Sequence, residues 1–321
     1  MLEWHRDVGP AVWVALAVAS YEAATGDLVT YREMALRAVN FGFGFQQDDG
    51  GVNGGFEATQ QGYRFHSWGS TEHAIDLYAA ARYFYGDQPR TGQVKQFLET
   101  VVWDAVEGRW LGGRADQRDP LDVNTWGVAT LGDEYAVALD YALTTHRVTL
   151  GGIDAVDFNS DRNDIWFEGT GQLIVALHAV GRTSDAQYFL QQMANGQTAN
   201  GGIPYSLQGT NNGYWTMSTA NAVSSAAWLI FADAAFNPLG LGTATVTSAA
   251  PTPDPVVVEP PVTASDKAYS WLRSQQLANG LVDSFEHGGA ADDLCVVYDQ
   301  AVAAIAFVVK ADYDRARAVL T

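Results

Sequence analysis

The chain has 321 residues, of which 47% are hydrophobic and 12% aromatic, and its formal net charge is −19. This length suits one large domain or two small ones. So acidic a surface repels phosphate backbones and anionic lipids, which argues against nucleic acid as a partner. Strongly anionic polysaccharides are also disfavoured unless a local basic patch intervenes, and much of the charge serves solubility.

Neither a membrane-spanning segment nor a leader peptide is predicted. The chain has no uncharged run of 18 apolar residues and no basic segment ahead of an apolar one at its start. We expect an extracellular or cell-surface protein without membrane insertion, from which a leader would have been removed. The single cysteine, Cys295, lies in the apolar run 294–309 and is expected to be a buried small side chain.

Helical segments of two kinds alternate along the chain. Segments of the first kind are apolar on nearly all faces, which is typical of buried helices, whereas segments of the second kind keep one polar face. The predicted inner helices are residues 10–24, 71–85, 123–131, 164–180, 218–234 and 292–309. The predicted outer helices are residues 31–47, 92–103, 134–143, 184–194, 267–277 and 312–320. This alternation predicts an all-α ring of six hairpins, an (α/α)6 toroid, with strands limited to hairpins near residues 52–65 and 201–214.

The turns between these segments also repeat. Gly-Asp turns such as Gly26-Asp27 and Gly86-Asp87 follow inner helices, where glycine suits the left-handed C-cap and Asp can cap the next helix. Outer helices end in Gln followed by Asn or Asp and then Gly, at residues 46–51, 195–202 and 275–280. A repeat with a period of about 45–60 residues predicts hairpins stacked around an axis.

A proline-rich stretch interrupts the pattern. Residues 240–265 hold five of the ten prolines and should form an extended linker. The linker follows residues 1–239, an incomplete toroid of nine helices, and precedes residues 266–321, three helices that complete a toroid. The ring is then either circularly permuted and closed within one chain, or completed by the C-terminal helices of a neighbouring subunit. A polyproline linker of about 25 residues spans roughly 75 Å, which permits the second arrangement, and donation of this kind would build a head-to-tail filament.

Five segments resemble bacterial (α/α)6-toroid proteins of the six-hairpin glycosidase-like type. They are STEHAIDLYAAARYF (residues 70–84), DVNTWGVATLG (122–132), DIWFEGTGQLIVAL (164–177), STANAVSSAAWLIFADAAFNPL (218–239), and YSWLRSQQLANGLVDSFE with DLCVVYDQAVAAIAF (within 269–307). The last resembles the usual beginning of the toroid, so the segments stand in circularly permuted order. The resemblance covers most of the chain outside the linker, and it implies a cleft at the inner-helix N-termini and usually a carbohydrate ligand.

Acidic residues gather at the predicted starts of the inner helices. They are Asp7, Glu72, Asp76, Asp122, Asp164, Glu168, Asp292, Asp293 and Asp299. Asp122, Asp164 and Asp292 also suit simple helix capping. Glu72 and Asp76 share a helix face, whereas Glu168 and Asp299 lie in otherwise apolar helices, where an ionised carboxylate is costly.

Glycoside hydrolysis needs two carboxyl groups flanking the scissile bond, and an apolar setting raises the pKa of the general acid. We therefore predict Glu72 and Glu168 as the acid/base pair, supported by Asp76, Asp122 and Asp299. The structural alternative is a hydrogen-bonded helix–helix network around the toroid axis.

Aromatic rings and amides would supply the rest of a sugar site, since flat rings suit sugar C–H faces and hydroxyl groups need polar partners. The candidates are Trp68, Tyr78, Trp126, Trp166, Tyr214, Trp215 and Tyr298, with Asn124, Asn163 and Gln172 for the hydroxyl groups. His73 beside Glu72 suits either a proton relay or simple packing. The same aromatic residues also suit core filling.

Motifs for other chemistries are absent from the sequence. It has no Walker loop, GxSxG, HExxH, CxxC or EF-hand loop, so no cofactor and no metal site are predicted. The leading hypothesis is a carbohydrate-active toroid of the glycoside hydrolase type. The alternatives are a glycan-binding protein without catalysis and a structural subunit of an extracellular filament, a homopolymer formed through residues 266–321.

Overall fold

The computed structural model describes residues 5–59, 61–213, 215–242, 262–286 and 294–321. These residues form α-helices that alternate between an inner and an outer layer. The inner helices are α1 (Val8–Thr25), α3 (Thr71–Tyr85), α5 (Leu121–Leu131), α7 (Phe167–Ala179), α9 (Val223–Asp233) and α11 (Val297–Val309). The outer helices are α2 (Arg32–Gly44), α4 (Pro89–Thr100), α6 (Val137–Thr145), α8 (Thr183–Asn195), α10 (Ala264–Ser274) and α12 (Tyr313–Leu320). The predicted all-α toroid is confirmed.

The inner helices form a closed ring. Each packs on two others, in the order α1, α3, α5, α7, α9, α11 and back to α1. They are rich in Ala, Val and Leu, and most of their side chains are buried. Burial on all sides explains why these segments are apolar around their whole circumference. Glycines allow close approach within the ring: a Cβ at Gly171 of α7 would press against Trp228 of α9.

In the described chain, the ring is closed by helices that follow the linker. Helix α11 packs between α9 and α1, while α10 lies on α9 and α12 on α11. The hydroxyl groups of Tyr31 and Thr321 lie 3.4 Å apart where the last hairpin meets the first. Most of the predicted linker, residues 243–261, lies outside the described residues.

Donation of residues 266–321 to a neighbouring ring stays a prediction. If donation occurs, each ring lacks its own α11 and exposes an apolar seam, which the C-terminal helices of another chain cover. Light scattering after size exclusion then detects polymers. Deleting residues 266–321 then abolishes the polymers, and adding that segment as a peptide gives capped monomers. A monomer that persists at all protein concentrations contradicts donation.

The strands are short and lie in the loops. A three-stranded antiparallel sheet contains β1 (His5–Asp7), β3 (Gly55–Thr59) and β4 (Gly62–Phe65). The other strands form three antiparallel pairs: β2 (Val52–Asn53) with β5 (Gly69–Ser70), β6 (Trp103–Asp104) with β7 (Arg109–Trp110), and β8 (Arg147–Leu150) with β9 (Ile153–Val156). The hairpin predicted near residues 52–65 is therefore present. Near residues 201–214 the described residues form no continuous strand, but antiparallel bridges pair Pro204 with Asn221 and Asn211 with Thr216. The hairpins at β6–β7 and β8–β9 were not predicted.

The repeated Gln-and-Gly loops tie three of the outer helices, α2, α8 and α10, each to the next outer helix. The Nε2 atoms of Gln46, Gln197 and Gln276 donate to the carbonyls of Arg90 (2.9 Å), Ala264 (2.8 Å) and Arg315 (3.3 Å). The glycine of each loop has a φ near +90° and lies against the backbone of the next outer helix: Gly50 on α4, Gly201 on α10 and Gly280 on α12. Each copy of the sequence repeat thus makes the same kind of contact between one outer helix and the next.

The two ends of the ring differ. Most connections from inner to outer helices are short, as between α3 and α4 or α7 and α8; the exception is the connection from α9 to α10, which contains the predicted linker. Connections from outer to inner helices are long, as between α2 and α3 or α8 and α9. Because paired helices are antiparallel, the loops from outer to inner helices gather where the inner helices begin, and this end is called the mouth.

Two expectations from the sequence need correction. Cys295 is only partly buried, because it lies in the loop before α11, which begins two residues later. Helix Val8–Thr25 is long and apolar enough to cross a membrane, although no such segment was expected. In the structure it is an inner helix with 67% of its residues buried, as is typical of a core helix.

Candidate functional site

The mouth contains two adjoining chambers. The inner chamber, about 600 Å³, is lined by Pro10, Trp13, Glu72, Asp122, Trp126, Trp166, Glu168, Gln172, Tyr205, Trp215, Thr216, Ser218, Ser224, Phe285, Leu294, Val296, Tyr298 and Asp299. The outer chamber, about 520 Å³, is lined by Trp68, Gly69, Ser70, Glu72, His73, Gly112, Arg114, Asp116, Arg118, Pro120, Asp122, Val123, Phe158 and Trp215. Glu72, Asp122 and Trp215 line both and mark the junction. Volumes of this size are typical of small-molecule sites.

Four inner helices each bring one carboxyl group to the inner chamber. Glu72, Asp122, Glu168 and Asp299 lie in the first turns of α3, α5, α7 and α11. The partial positive charge at a helix N-terminus favours a carboxylate in this position. Asp76 lies one turn further along α3, is fully buried, and does not line either chamber. The toroid thus gathers four of the five predicted carboxyl groups in one cavity.

Glu168 is held by hydrogen bonds at one oxygen. Its Oε1 accepts from the Tyr298 hydroxyl (2.7 Å) and from Gln172 Nε2 (3.2 Å). Tyr298 in turn accepts from the Trp228 indole at 2.8 Å. Burial raises the pKa of Glu168 to about 8, although the Tyr298 hydrogen bond opposes this rise. Glu168 is therefore mainly protonated at neutral pH.

The other carboxyl groups also have raised pKa values. Burial raises the pKa of Asp122 to about 7, against hydrogen bonds from the backbone N–H groups of Val123 and of Asp122 itself. Burial raises that of Asp299 to about 7, opposed by Ser284. For Glu72, burial and then the charges of Asp122, Glu168 and Asp7 raise the pKa well above its usual range.

Asp76 lies in the most enclosed setting of the five. Burial, followed by the charges of Glu72 and Asp122, raises its pKa well above the usual range, and Trp13 partly offsets this effect. Within the described part of the chain neither of its oxygens has a hydrogen-bond partner. The protonated form of Asp76 is therefore favoured, and its side chain lies behind the chamber.

Indole and phenol rings from four inner helices meet inside the ring. Trp13 of α1 lies 5.2 Å from Trp126 of α5, 6.0 Å from Trp228 of α9 and 5.1 Å from Tyr298 of α11, measured between ring centroids. Trp126 and Trp228 are stacked at 6.1 Å. Trp13, Trp126 and Tyr298 of this cluster form an aromatic wall of the inner chamber, which Glu168 also lines, while Trp228 is buried behind them.

Other predicted aromatic and imidazole residues divide between the chambers. Trp126, Trp166 and Tyr298 line the inner chamber, whereas Trp68 and His73 line the outer one. Burial, together with the nearby His66, lowers the pKa of His73 to about 4, so its imidazole is neutral. Its ring centroid lies 5.6 Å from that of Trp68.

Three predicted polar or aromatic residues do not line either chamber. Asn124 is fully buried and its Oδ1 accepts from the backbone N–H of Trp110 at 2.9 Å, so its predicted role in substrate binding is wrong. Tyr78 is buried in the core, and Asn163 donates to Asp161. Gln172 does line the inner chamber.

Among the capping candidates, Asp164 holds the loop after residue 206 by accepting from the N–H groups of Gln208 (2.8 Å) and Gly209 (3.0 Å). It does not cap α7, which begins three residues later. Tyr214, Asp292 and Asp293 lie outside the described residues.

Several lining residues were missed by the sequence analysis. Trp13 and Ser224 lie within apolar helices and offer no separate signal, while Tyr205 and Phe285 lie in loops without a motif. Arg114 and Arg118 of the outer chamber are exceptional in so acidic a chain, and this contrast could have identified them. In the described ranges there is no group of three or more His, Cys, Asp or Glu side chains suited to a metal ion.

Comparisons with known proteins show the fold. No family model matches the chain, and no curated protein matches it. The chain is similar in structure to a family 88 glycosyl hydrolase from Bacteroides vulgatus, with a TM-score of 0.60 and 12% identity over 99% of this chain and 93% of that one. It is also similar to Rex8A from Paenibacillus barcinonensis in complex with an arabinofuranosyl-xylotetraose (TM-score 0.55, 10% identity, 97% and 82% coverage).

A third similar structure is the type II terpene cyclase MstE from Scytonema in complex with its substrate geranylgeranyl dihydroxybenzoate (TM-score 0.58, 15% identity, 94% and 88% coverage). The chain therefore has the fold of six-hairpin glycosidase-like toroids. At these identities the likeness concerns the fold alone.

The Tyr298 hydroxyl should tune the acidity of Glu168. Tyr298→Phe removes a hydrogen bond that favours the ionised form, so we expect the Glu168 pKa to rise above about 8. Carbon-13 NMR titration of the labelled carboxyl groups measures this shift, with Tyr188→Phe on α8 as the control. An unchanged or lowered Glu168 pKa would show that the hydrogen bond is unimportant.

Proposed function

We propose that this protein hydrolyses a glycosidic bond at the junction of the two chambers. The observation that carries the proposal is Glu168, a carboxyl group in an aromatic chamber whose pKa of about 8 keeps it protonated at neutral pH. A general acid in a glycoside hydrolase needs this property. The polar groups of Gln172, Ser218 and Ser224 along the same chamber suit the hydroxyl groups of a sugar.

Glu168 and Asp122 have complementary environments for the roles of general acid and general base, respectively. Glu168 Oε2 gives its proton to the leaving glycosidic oxygen as the C–O bond breaks, because Oε1 is occupied by Tyr298 and Gln172. Asp122 accepts backbone N–H groups, which favour its ionised form. It takes the proton of the water that attacks the anomeric carbon, and solvent restores both carboxyl groups.

This proposal changes the partner predicted for Glu168. Glu72 was predicted as the second member of the pair, but burial, followed by the charge of Asp122, favours its protonated form. A protonated Glu72 at the junction can donate a hydrogen bond to the substrate, whereas the base must be ionised. Asp299 supports the site by adding to the negative field around Glu168, whereas Asp76, whose burial favours the protonated form, lies one turn behind Glu72 on α3.

The test is a panel of oligosaccharides and polysaccharides assayed for new reducing ends. We expect one class to be cleaved and Glu168→Gln to reduce the rate by about 10³-fold, within the usual range for loss of general acid catalysis. Glu33→Gln, at an exposed ion pair with Arg37 on α2, serves as the control. Full activity of Glu168→Gln would refute the proposed acid. Tight binding without cleavage would instead favour the glycan-binding alternative.

A second candidate is a cyclase acting on a polyprenyl substrate, and the aromatic wall formed by Trp13, Trp126 and Tyr298 is the observation that favours it. Ring faces of this kind stabilise a cation, and a neutral Glu168 is an acid able to protonate an alkene. Incubation with geranylgeranyl dihydroxybenzoate followed by mass spectrometry and chromatography tests it. A product of unchanged mass and altered retention time would favour the cyclase over the hydrolase.

A further inference from the structure

We infer that the substrate is an uncharged oligosaccharide that occupies both chambers, with Trp215 at the junction and Trp68 as a stacking platform in the outer chamber. The inference deepens the proposed function and rests on it. It follows from the shape of the cavity, the pairing of its charged groups and the exposure of two indole rings.

The shape requires a ligand with units on both sides of the junction. Each chamber alone has the volume of a small-ligand site. Glu72 and Asp122 belong to both chambers, so a bond that reacts beside Asp122 has one part of the substrate in the inner chamber and another in the outer chamber. A single sugar unit would leave one chamber empty.

The charges of the outer chamber are already compensated. The Arg114 guanidinium donates to Asp49 from Nε (2.6 Å) and Nη2 (2.7 Å). Arg118 makes a similar two-point contact with Asp116, with Nη2 at 2.5 Å from Oδ2. Two-point pairing of this kind fixes a guanidinium on its own carboxylate. The chamber therefore offers polar groups to a ligand without a surplus positive charge.

The described lining of the inner chamber has no positive charge that would attract an anion. Among the residues that the structure describes, this lining includes four carboxyl groups and no Lys, Arg or His. A uronate or sulfate group entering it would lose its hydration and meet carboxyl groups instead of a cation, which is unfavourable in a buried site. Together, the two chambers select against acidic sugars.

Two indole rings are placed to stack on sugar units. Trp68 lies against Gly54, where any Cβ would overlap its six-membered ring, and 49% of the residue is exposed. Trp215 contacts the edge of Phe158, with ring centroids 5.4 Å apart, and is 41% exposed. An exposed indole supported from behind provides an apolar face for the C–H groups of a pyranose.

Binding is measured with the Glu168→Gln protein, so that the ligand survives, by calorimetry. The probes are xylo-, cello- and malto-oligosaccharides of increasing length, with oligogalacturonides as the acidic series. We expect one neutral series to bind with an affinity that rises with length until both chambers are filled, and the acidic series to bind at least about tenfold more weakly. Adding Trp68→Ala or Trp215→Ala should weaken binding about tenfold, equivalent to about 1.4 kcal/mol, while Tyr188→Ala on the outside of α8 should not.

A variant that leaves the positive charge of Arg114 uncompensated provides a further test. Asp49→Asn removes the carboxylate that holds Arg114, so affinity for oligogalacturonides should rise several-fold. The inference is overturned if a single sugar binds as tightly as the longest oligosaccharide, if no neutral series binds, if the acidic series binds best, or if Trp68→Ala has no effect.

The same measurements separate this inference from the proposed function. Neutral oligosaccharides that bind as expected but are not cleaved by the unmodified protein leave the inference standing and defeat the hydrolase. Cleavage of an acidic glycan that depends on Glu168 would support the hydrolase and overturn the inference.

Discussion

Raising the pH from about 5 to about 8 is expected to lower the free energy of unfolding of this protein by several kcal/mol. Glu168 has a pKa of about 8 in the folded state against 4.5 when unperturbed, and Asp122 and Asp299 have values of about 7 against 3.8. Between these values the folded chain binds more protons than the unfolded chain, so stability falls as pH rises. At about 1.4 kcal/mol per pKa unit, Glu168 alone contributes on the order of 4 kcal/mol.

The sign of this effect is set by the direction of the pKa shifts. The contribution is fully present below the unfolded pKa, near 4, and is lost as the pH passes through 7 to 8. Thermal melts at about pH 5, 6.5 and 8 measure it. Glu168→Gln cannot ionise, so it should flatten the profile and raise the melting temperature at about pH 8, whereas Glu33→Gln should leave both unchanged. A profile that rises towards pH 8 would contradict the buried carboxyl cluster.

Replacing Gly201 by alanine is expected to destabilise the protein by about 3 kcal/mol. Gly201 has a φ of +94°, which costs a residue with a Cβ roughly 1–2 kcal/mol. The added Cβ would also lie 2.5 Å from the carbonyl oxygen of Lys267 in α10, so the backbone contact between the α8 loop and α10 must open. Overpacking of this kind adds about 1–3 kcal/mol. Denaturant unfolding of the full chain measures the sum.

Gly152→Ala is the matched control for this effect. Gly152 also has a positive φ, +80°, but a Cβ there would meet no atom within 4 Å. It should therefore show only the backbone cost of about 1–2 kcal/mol. Equal losses in the two variants would show that the contact between the loop and α10 contributes nothing.

The helical architecture was predictable because each inner helix is buried on all sides and each outer helix on one. Inner helices are therefore apolar around their whole circumference and outer helices along one face, and the sequence shows both patterns directly. The ends were less accurate: the fourth predicted inner helix began at Asp164, but α7 begins at Phe167 because Asp164 is engaged by the N–H groups of Gln208 and Gly209. Long-range contacts of this kind leave no local pattern.

The carboxyl groups of the site were predictable for a related reason. Glu168 and Asp299 are acidic residues in apolar helices, and the ring brings the starts of those helices together. Asn124 has the same local signature, yet it satisfies the backbone of Trp110 inside the core. A buried polar residue in a helix can therefore face either the cavity or a neighbouring loop, and only the three-dimensional packing distinguishes the two.

The unequal ends of the ring have a practical consequence for handling the protein. The loops from outer to inner helices open towards the mouth, while the opposite end carries the connection from α9 to α10 and compact turns such as Gly181-Arg182 between α7 and α8. A tag, fluorophore or surface tether attached at that opposite end would stand a full helix length from both chambers. The protein could then be immobilised in one orientation with its cavity facing the solution, and ligands of any length could enter unhindered.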